Sequence, residues 1–322
     1  MIRNSTIFFG TSAFAVPILE ALAASPWRPA AVVTTPERRA ARGLRPQLSP
    51  VKQSASRLGL ECWEPETLHD PVWHERIRAA QPQLIVLAAY GGIIPLTILL
   101  LPASGSLNVH PSLLPRWRGP APIQWAILEG DQMTGATIFC MDEKVDHGPV
   151  LTQEALAIAP GDTAETLESR LSALGAGLLI RTLPDWLAGK ITPRPQDRAQ
   201  ATHSTMFTRE DGLIDWKEGA LRIERRVRAL AGWPGTHTYV TARGRTLLLK
   251  VRAVRVVPSP AAGAPRVPGT VLHETARLLV ATGDGVLEVL TLQPEGKRPM
   301  SGAQFLNGHR DLAASVLTRQ DS

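Results

Sequence analysis

Cysteine is nearly absent from this chain of 322 residues, which contains only Cys62 and Cys140. Two thiols cannot cross-link a sequence of this length into a disulfide-built secreted scaffold. Zinc-ribbon and iron–sulfur sites need about four ligating cysteines or histidines at short spacing, and no segment supplies them. The sequence therefore predicts a protein of the reducing cytoplasm with no metal site.

Long uninterrupted apolar runs are also missing. The first ten residues, MIRNSTIFFG, contain neither the apolar core nor the small-residue cleavage site of a secretory signal. The longest apolar run, residues 84–101, has nearly the length of a membrane span, but Tyr-Gly-Gly at residues 90–92 and Pro95 interrupt it. Such an interruption is typical of a buried strand, a turn and the start of a helix. We therefore expect no membrane partner.

Glycine is sparse where a nucleotide-binding loop would need it. The chain opens with an apolar strand at residues 7–9, a helix with Phe14 and Leu22 on one face, and a second apolar strand at residues 30–34. Only Gly10 stands between the first strand and the helix, and no GxxxxGK segment occurs. The predicted topology is Rossmann-like, whereas a dinucleotide or a nucleoside triphosphate is not the expected ligand.

Helix and strand patterns alternate up to about residue 190 and then change. Ser49-Pro50 and Asp70-Pro71 each place a capping side chain before a proline, and Asp162 with Glu165 predicts a capping box before a long helix. Residues 247–253 alternate with a period of two, which is typical of a strand. We predict an α/β fold with a Rossmann-like, mostly parallel sheet domain at residues 1–192. A linker at 193–207 and a small OB-like β-barrel domain at 208–322 are expected to follow.

Positive charge is concentrated in the last third of the chain. The whole sequence has 35 basic and 29 acidic residues, and residues 208–322 hold 17 basic against 11 acidic, so they carry the entire excess of +6. A segregated excess of this kind favours contact with nucleic-acid phosphates. A solvated basic face without a polyanion partner has the same composition, and charge alone does not separate the two.

The most informative stretch is SLNVHPSLLPRWRGPAPIQWAILEGD at residues 106–131, followed by MDEKVDHG at residues 141–148. Asn108 and His110 are two positions apart near a strand end, so their side chains point to the same side, where open α/β sheets bind ligands. Asp146 follows the next strand and comes within reach if the two strands are neighbours. An amide that donates to an oxyanion, an imidazole that moves a proton and a carboxylate that orients it suit attack of an amine on a carbonyl.

Structural roles remain open for the same residues. A histidine after a strand is often a satisfied structural group, asparagine before Pro111 is also turn chemistry, and residues 146–148 also fit a plain turn. His147 lies in that loop with no paired amide, so we do not expect it to be the working histidine. No serine or cysteine nucleophile accompanies the set, which favours direct transfer over a covalent enzyme intermediate.

SLNVHPSLLPRWRG, together with the downstream MDEKVDHG, resembles the formyltransferase family that uses 10-formyltetrahydrofolate. The resemblance implies that Asn108, His110 and Asp146 are the catalytic set. It also implies folate contacts from a Ser-Leu-Leu-Pro segment and from an apolar loop that forms the wall of the pterin pocket: Ser112, Leu113, Leu114, Pro115, Tyr90, Gly91, Gly92, Ile93, Ile94 and Pro95. The sequence departs from the family pattern at Gly92, at Pro120 and at Glu143-Lys144, which concerns pocket geometry and not the reaction.

The similarity extends over nearly the entire chain to the family members that formylate methionyl initiator tRNA, through FFGTSAFAVPILEAL, PERRAARGLRPQLSPVK and LQPEGKRPMSGAQFLNG. It implies 10-formyltetrahydrofolate as the donor, tetrahydrofolate as the product, methionyl initiator tRNA as the partner and a monomeric enzyme. A basic loop at residues 36–50 and the basic barrel are then expected to contact tRNA through Arg38, Arg39, Arg42, Arg45, Lys250, Arg252, Lys297 and Arg298. Within the loop, Arg42 is expected to help position the acceptor end.

Two other functions stay open on the sequence. A formyltransferase acting on an amino-sugar nucleotide or another small amine would need neither the basic barrel nor the basic loop. A non-catalytic RNA-binding protein on a degenerate Rossmann scaffold would not need the complete set of asparagine, histidine and aspartate. Assaying each acceptor separately would distinguish all three.

Overall fold

Seven strands form the first sheet, and their bounds are β1 (Thr6–Gly10), β2 (Pro29–Val33), β3 (Glu61–Trp63), β4 (Leu84–Ala88), β5 (Ser106–His110), β6 (Met133–Cys140) and β7 (Val150–Ala157). The strands are arranged in the order β3-β2-β1-β4-β5-β6-β7. The first five pair in parallel, and β6 and β7 each pair antiparallel with the preceding strand. The predicted Rossmann-like, mostly parallel sheet is confirmed.

These elements come from a computed structural model that describes residues 5–36, 48–242, 244–258, 266–274, 277–309, 312 and 315–319. The chain divides into two units. The first comprises Met1–Pro122, Gln132–Ile158 and Leu167–Ser204, and the second comprises Ile123–Asp131, Ala159–Thr166 and Thr205–Ser322.

Six helices accompany the first seven strands: α1 (Ala15–Ala23), α2 (Pro50–Arg57), α3 (Pro71–Ala79), α4 (Leu96–Leu99), α5 (Pro122–Glu129) and α6 (Ala164–Leu187). Their starts follow local chemistry. Ser49 accepts a hydrogen bond from the Lys52 amide at 3.0 Å before α2, and Asp70 accepts one from the Val72 amide at 2.9 Å before α3. Both predicted caps are therefore present.

The cap of the long helix α6 differs from the prediction. Thr163 and Thr166, not Asp162 and Glu165, exchange the two hydrogen bonds of the capping box, because each threonine hydroxyl accepts from the other's backbone amide. The Asp162 carboxylate instead accepts from the Ala159 amide at 2.7 Å, which fixes the turn before the helix.

The buried sheet of the first unit leaves a crevice at the carboxyl ends of its strands, where a site can form. Ile7, Phe8 and Phe9 on β1 are fully buried, as expected for a strand covered on both faces. The strand order reverses direction between β1 and β4, so the loops that follow these strands diverge and leave a crevice beyond their carboxyl ends. Strand β5 lies next to β4 and ends at this crevice.

The second unit contains strands β8 (Thr236–Ala242), β9 (Arg245–Val257), β10 (Val271–Glu274), β11 (Arg277–Ala281), β12 (Val286–Pro294) and β13 (Met300–Ser301), with helices α7 (Ala220–Ala229) and α8 (Gly302–Gly308). Five strands pair antiparallel in the order β10-β11-β12-β9-β8, and β13 pairs with β12. A C-terminal segment reaches both edge strands, since Thr318 pairs with Tyr239 on β8 and Val316 pairs with Thr270 next to β10. This closing segment turns the open sheet into the predicted barrel-like form.

Candidate active site

Strand β5 places Asn108 and His110 side by side. All five residues of SLNVH are buried, and the alternation of a strand directs residues 108 and 110 to one face. Asn108 lies in register between Leu87 of β4 and Phe139 of β6, so it occupies the centre of the sheet near its carboxyl edge. The two polar side chains are 7% and 5% exposed, which removes most competing water from both.

The loop after β5 folds back on the histidine. The Ser112 hydroxyl donates to the Arg116 carbonyl at 2.6 Å and closes a tight turn. Trp117 follows with φ +61°, and its carbonyl oxygen lies 3.1 Å from Nε2 of His110. Because a carbonyl can only accept, Nε2 carries the hydrogen of this bond and Nδ1 is the nitrogen that faces the site.

Asp146 stands in a strained turn that follows β6. Its φ of +48° is unusual for a residue with a side chain. One carboxylate oxygen, Oδ2, accepts a hydrogen bond from the Gly119 amide at 2.7 Å. Glycine is required at position 148, because a Cβ there would overlap the carbonyl oxygen of Cys140. The turn is thus fixed by backbone contacts on both sides of the carboxylate.

The three predicted catalytic side chains meet at this point. Nδ2 of Asn108 lies 3.5 Å from Oδ1 of Asp146, and Nδ1 of His110 lies 3.6 Å from Oδ2. The second distance exceeds that of a hydrogen bond, so the Trp117 carbonyl and not Asp146 holds the imidazole. The carboxylate is close enough to stabilise a positive charge on the ring.

One buried polar atom in the site lacks a partner. Within the described part of the chain, Oδ1 of Asn108 is inaccessible and accepts no hydrogen bond. Leaving a buried acceptor unsatisfied costs about 1–3 kcal/mol, which native structures seldom accept without a reason. The amide that carries this atom contacts Asp146 through Nδ2, and Asp146 in turn lies next to His110. Together they form a cluster suited to a ligand that donates N–H or O–H groups.

Four residues of the predicted folate loop line a cavity of about 290 Å³ beyond β2, β3 and β4: Tyr90, Gly91, Gly92 and Ile93. The Tyr90 ring packs edge-on against Phe9, with 5.5 Å between the ring centroids. Burial raises the pKa of the Tyr90 hydroxyl to about 12, so it stays protonated at physiological pH. Of the remaining two loop residues, Ile94 packs against the core and Pro95 immediately precedes α4.

The predicted Ser-Leu-Leu-Pro folate segment is less accessible. Ser112 is fully buried, and Leu114 packs with Phe139 and Val150 in a small core cluster. Leu113 and Pro115 are half-buried. The segment shapes the loop that holds His110, and its side chains at 112 and 114 are already occupied by protein contacts.

The predicted cations of the second unit lie near one another. Lys250 and Arg252 are exposed on β9, as the alternating pattern predicts. The Arg252 guanidinium donates to Oε1 of Gln293, whose Nε2 donates to the Lys297 carbonyl at 2.7 Å. These contacts bring the exposed face of β9 next to the loop that carries Lys297 and Arg298.

The predicted tRNA-binding residues of the basic loop, Arg38, Arg39, Arg42 and Arg45, lie outside the described residues. His147 points away from the triad and bonds to Asp142, with 2.6 Å between Nδ1 and Oδ2. No group of three or more potential metal ligands occurs in the ranges that the structure describes. The same ranges contain no helix that is long and apolar enough to cross a membrane.

Sequence reasoning missed Gln196, which lies in the segment expected to be a linker. Its Nε2 donates to the carbonyls of Asp146 and Gly148 at 2.9 and 2.8 Å, and its Oε1 accepts from the buried Arg118. A lone glutamine in a polar stretch carries no pattern in the sequence, so only the structure reveals it.

Two family models match the chain. The model described as formyl transferase matches residues 3–183, and the model described as formyl transferase, C-terminal domain, matches residues 206–310. The fold and the site thus define a formyltransferase.

Comparison with curated relatives indicates which kind of formyltransferase the chain resembles. The methionyl-tRNA formyltransferase of Roseiflexus castenholzii is 46% identical over 305 residues, which is 94% of this chain and 96% of the relative. That of Methylococcus capsulatus is 43% identical over 303 residues, again 94% of this chain and 96% of the relative. The chain belongs to the methionyl-tRNA formyltransferase family.

Solved structures share the fold at low sequence identity. An N-formyltransferase from Helicobacter canadensis, in complex with folinic acid and dTDP-3-aminofucose, matches with a TM-score of 0.65 at 16% identity, over 88% of this chain and 98% of that chain. HypX from Aquifex aeolicus, in complex with tetrahydrofolic acid, matches with a TM-score of 0.60 at 16% identity, over 94% of this chain and 46% of that chain.

Proposed function

We propose that this protein transfers the formyl group of 10-formyltetrahydrofolate to the free amino group of methionyl initiator tRNA, giving N-formylmethionyl-tRNA for translation initiation. The observation that carries the proposal is the meeting of Asn108, His110 and Asp146 at the carboxyl edge of the sheet. Membership of the family over 94% of the chain supports the choice of acceptor.

The reaction forms a bond between the acceptor nitrogen and the formyl carbon and breaks the bond between that carbon and N10 of the folate. The neutral amine attacks, the formyl oxygen becomes an oxyanion, and the carbonyl reforms as N10 leaves. The amine loses one proton and N10 gains one, so the site needs a group that moves a proton, and neither an oxidant nor a reductant.

Asn108 is suited to the formyl group. Its Nδ2 donates to the formyl oxygen, which stabilises the negative charge that develops there. The position of the amide is set by strand β5, which pairs with β4 and β6 on either side.

His110 is the proton carrier. Its Nε2 is occupied by the Trp117 carbonyl, so the unprotonated Nδ1 accepts the proton of the amine and passes it to N10. The Asp146 carboxylate, 3.6 Å from Nδ1, stabilises the imidazolium that exists between the two steps.

Cys140 is poorly suited to act as a nucleophile. Burial raises the pKa of its thiol to about 11, which leaves almost no thiolate at neutral pH. Direct transfer from donor to acceptor fits these groups better than an acyl-enzyme.

The basic second unit supports a tRNA acceptor. Lys250, Arg252, Lys297 and Arg298 are exposed and are proposed to contact phosphates, together with Arg38, Arg39, Arg42 and Arg45 of the basic loop. We further propose that the enzyme acts in the cytoplasm as a monomer, and the two free cysteines are compatible with a reducing compartment.

The test is incubation of the protein with 10-formyltetrahydrofolate and, in separate reactions, methionyl initiator tRNA, methionyl elongator tRNA, free methionine and an amino-sugar nucleotide. Formylated product should form fastest with the initiator tRNA. Product with the amino-sugar nucleotide alone would replace the proposed acceptor. RNA binding without product in any reaction would contradict the enzymatic function.

A further inference from the structure

Gln196 joins two parts of the active-site wall that are distant in sequence. Its side-chain carbonyl accepts hydrogen bonds from Nε and Nη2 of Arg118, at 3.0 and 2.8 Å. Its amide nitrogen donates to the backbone carbonyls of Asp146 and Gly148, at 2.9 and 2.8 Å. The oxygen of this side-chain amide therefore accepts two hydrogen bonds from Arg118, and its nitrogen donates two to the turn that contains Asp146.

Arg118 is a fixed support for this amide. Only 6% of it is exposed, and its backbone is anchored by hydrogen bonds with Thr202 and Ser204. A guanidinium can only donate, so it determines that the oxygen of Gln196 faces Arg118 and the nitrogen faces the turn. Hydrogen bonds from an ionised donor are also stronger than neutral ones.

The hydrogen bonds form a closed ring around Asp146. The Gln196 amide holds the backbone carbonyl of Asp146, whereas the Gly119 amide, adjacent to Arg118 in the chain, holds its carboxylate. The backbone at Asp146 has φ +48°, a conformation that needs external support in a residue other than glycine. Gln196 supplies this support from outside both the β5 and β6 loops.

We propose that Gln196 is a positioning residue that sets the location of the Asp146 carboxylate relative to His110. The proposal rests on the proposed function, because it takes Asp146 as part of the catalytic set. Gln196 itself is assigned no contact with either substrate. The effect arises because reactions at preorganised sites are sensitive to displacements of about 1 Å, which can cost about a hundredfold in rate.

Two substitutions separate the halves of the amide. Gln196→Glu keeps the acceptor for Arg118 and adds an ion pair there, but it removes both donors and places a carboxylate oxygen against two carbonyls. Gln196→Met keeps the length and removes all four bonds. Gln200 gives matched controls: it lies in the same segment, is exposed, and among the described residues its side chain bonds to the neighbouring Asp197 alone.

Steady-state formylation of methionyl initiator tRNA, with thermal unfolding of each variant, provides the first test. Both Gln196 variants should lower kcat by about tenfold to a hundredfold, with the KM for the formyl donor changed by less than about threefold. Gln200→Glu and Gln200→Met should keep the wild-type kcat. Unchanged kcat in Gln196→Glu, or a loss that appears only in KM, would overturn the proposal.

A double-mutant cycle tests whether Gln196 acts through Asp146, and it does so even if Gln196→Met fails to fold. In an Asp146→Asn background, Gln196→Glu should reduce the residual rate by less than about threefold, because the group it positions is already gone. Equal losses in both backgrounds would show a role independent of Asp146 and would overturn the proposal. Absence of formylated product from the wild-type protein would contradict the proposed function, whereas an active wild type with equally active Gln196 variants would contradict only the role of Gln196.

Discussion

Nε2 of His110 lies 3.1 Å from the carbonyl oxygen of Trp117, a residue whose own backbone has φ +61°. The contact fixes the orientation of the ring and places a hydrogen on Nε2. As a consequence, the nitrogen that faces Asn108 and Asp146 is Nδ1. The proton that moves in the reaction is then carried on a nitrogen already next to a carboxylate.

Replacing His110 should remove proton transfer and leave donor binding nearly intact. His110→Ala is expected to lower the single-turnover transfer rate by ~10²–10⁴, the usual contribution of general acid–base catalysis. Quench-flow measurement of formylated tRNA gives the rate, and equilibrium dialysis gives the donor affinity. His74→Ala is the control, since His74 is half-buried on α3, away from the predicted catalytic set, and bonds to Thr97. A His110 variant as fast as that control would exclude His110 as the proton carrier.

Asn108→Ala should lower the same rate by ~10²–10³, as loss of one oxyanion donor does elsewhere. Asn108→Asp keeps an acceptor oxygen but loses the donor and adds a negative charge 3.5 Å from Asp146. We expect the aspartate variant to be at least as slow as the alanine variant. The exposed Asn307→Ala in α8 should match the wild type. Recovery of activity in Asn108→Asp would show that only the acceptor function matters.

Gly92→Ala tests whether the cavity beside Tyr90 binds the formyl donor. A Cβ at Gly92 would lie 2.8 Å from Cε1 of Tyr90 and 3.1 Å from its hydroxyl oxygen, so the ring must move. We expect the Kd of the donor to rise by about tenfold, or about 1.4 kcal/mol. Gly161→Ala is the control, because a Cβ there meets no atom within 4 Å. A Kd that stays at the control value would place the donor elsewhere.

The salt dependence of tRNA binding tests the barrel surface. Substitution of Lys250, Arg252, Lys297 and Arg298 by alanine should lower the slope of log K against log salt by ~0.7–0.9 for each phosphate that is no longer neutralised. Filter binding at several salt concentrations measures the slope. The control removes four exposed cations of the first unit: Arg57, Arg78, Arg181 and Lys190. An equal change of slope in both variants would indicate a general charge effect.

Glu288 should make the second unit sensitive to acid. Hydrogen bonds from Arg277 and Arg255 lower the pKa of Glu288 from its ordinary 4.5 to about 2, despite the opposing effect of burial. The stabilisation of the fold by the ionised Glu288 carboxylate is therefore complete above about pH 4.5 and is lost as the pH falls towards about 2. Glu288→Gln should cost on the order of 1–2 kcal/mol at pH 7, reduced by the exposure of both arginines.

Denaturant unfolding of Glu288→Gln and wild type between pH 7 and pH 2 checks this expectation, because the difference should shrink as the pH decreases. The exposed Glu295→Gln is the control. A difference that is independent of pH would mean that the ionised carboxylate is not what stabilises the barrel.

Local signals were enough to predict the elements that hold the site. The two-residue spacing of Asn108 and His110 indicates their shared face, and the sequence places Asp146 after the next strand along the chain. The sequence did not predict strand β7, because only Val150 and Leu151 of its eight residues are buried, too few for an apolar pattern. The contacts of Gln196, within the predicted linker, could not be predicted, because the partners of a polar side chain depend on tertiary structure. The cap of α6 was mispredicted for a local reason: Asp162 is engaged by the Ala159 amide, and Thr163 with Thr166 offers a second capping pair one position later.

The segment that closes the barrel pairs with residues far away in the chain: the Thr318 carbonyl accepts from the Thr238 hydroxyl, 80 positions earlier, and Leu317 is 5% exposed. Contacts that span so many residues form only after a large loss of chain entropy, which delays them during folding. Interactions that form after the folding transition state change the unfolding rate and leave the folding rate nearly unchanged. We therefore expect the closing segment to slow unfolding of the barrel more than it speeds folding.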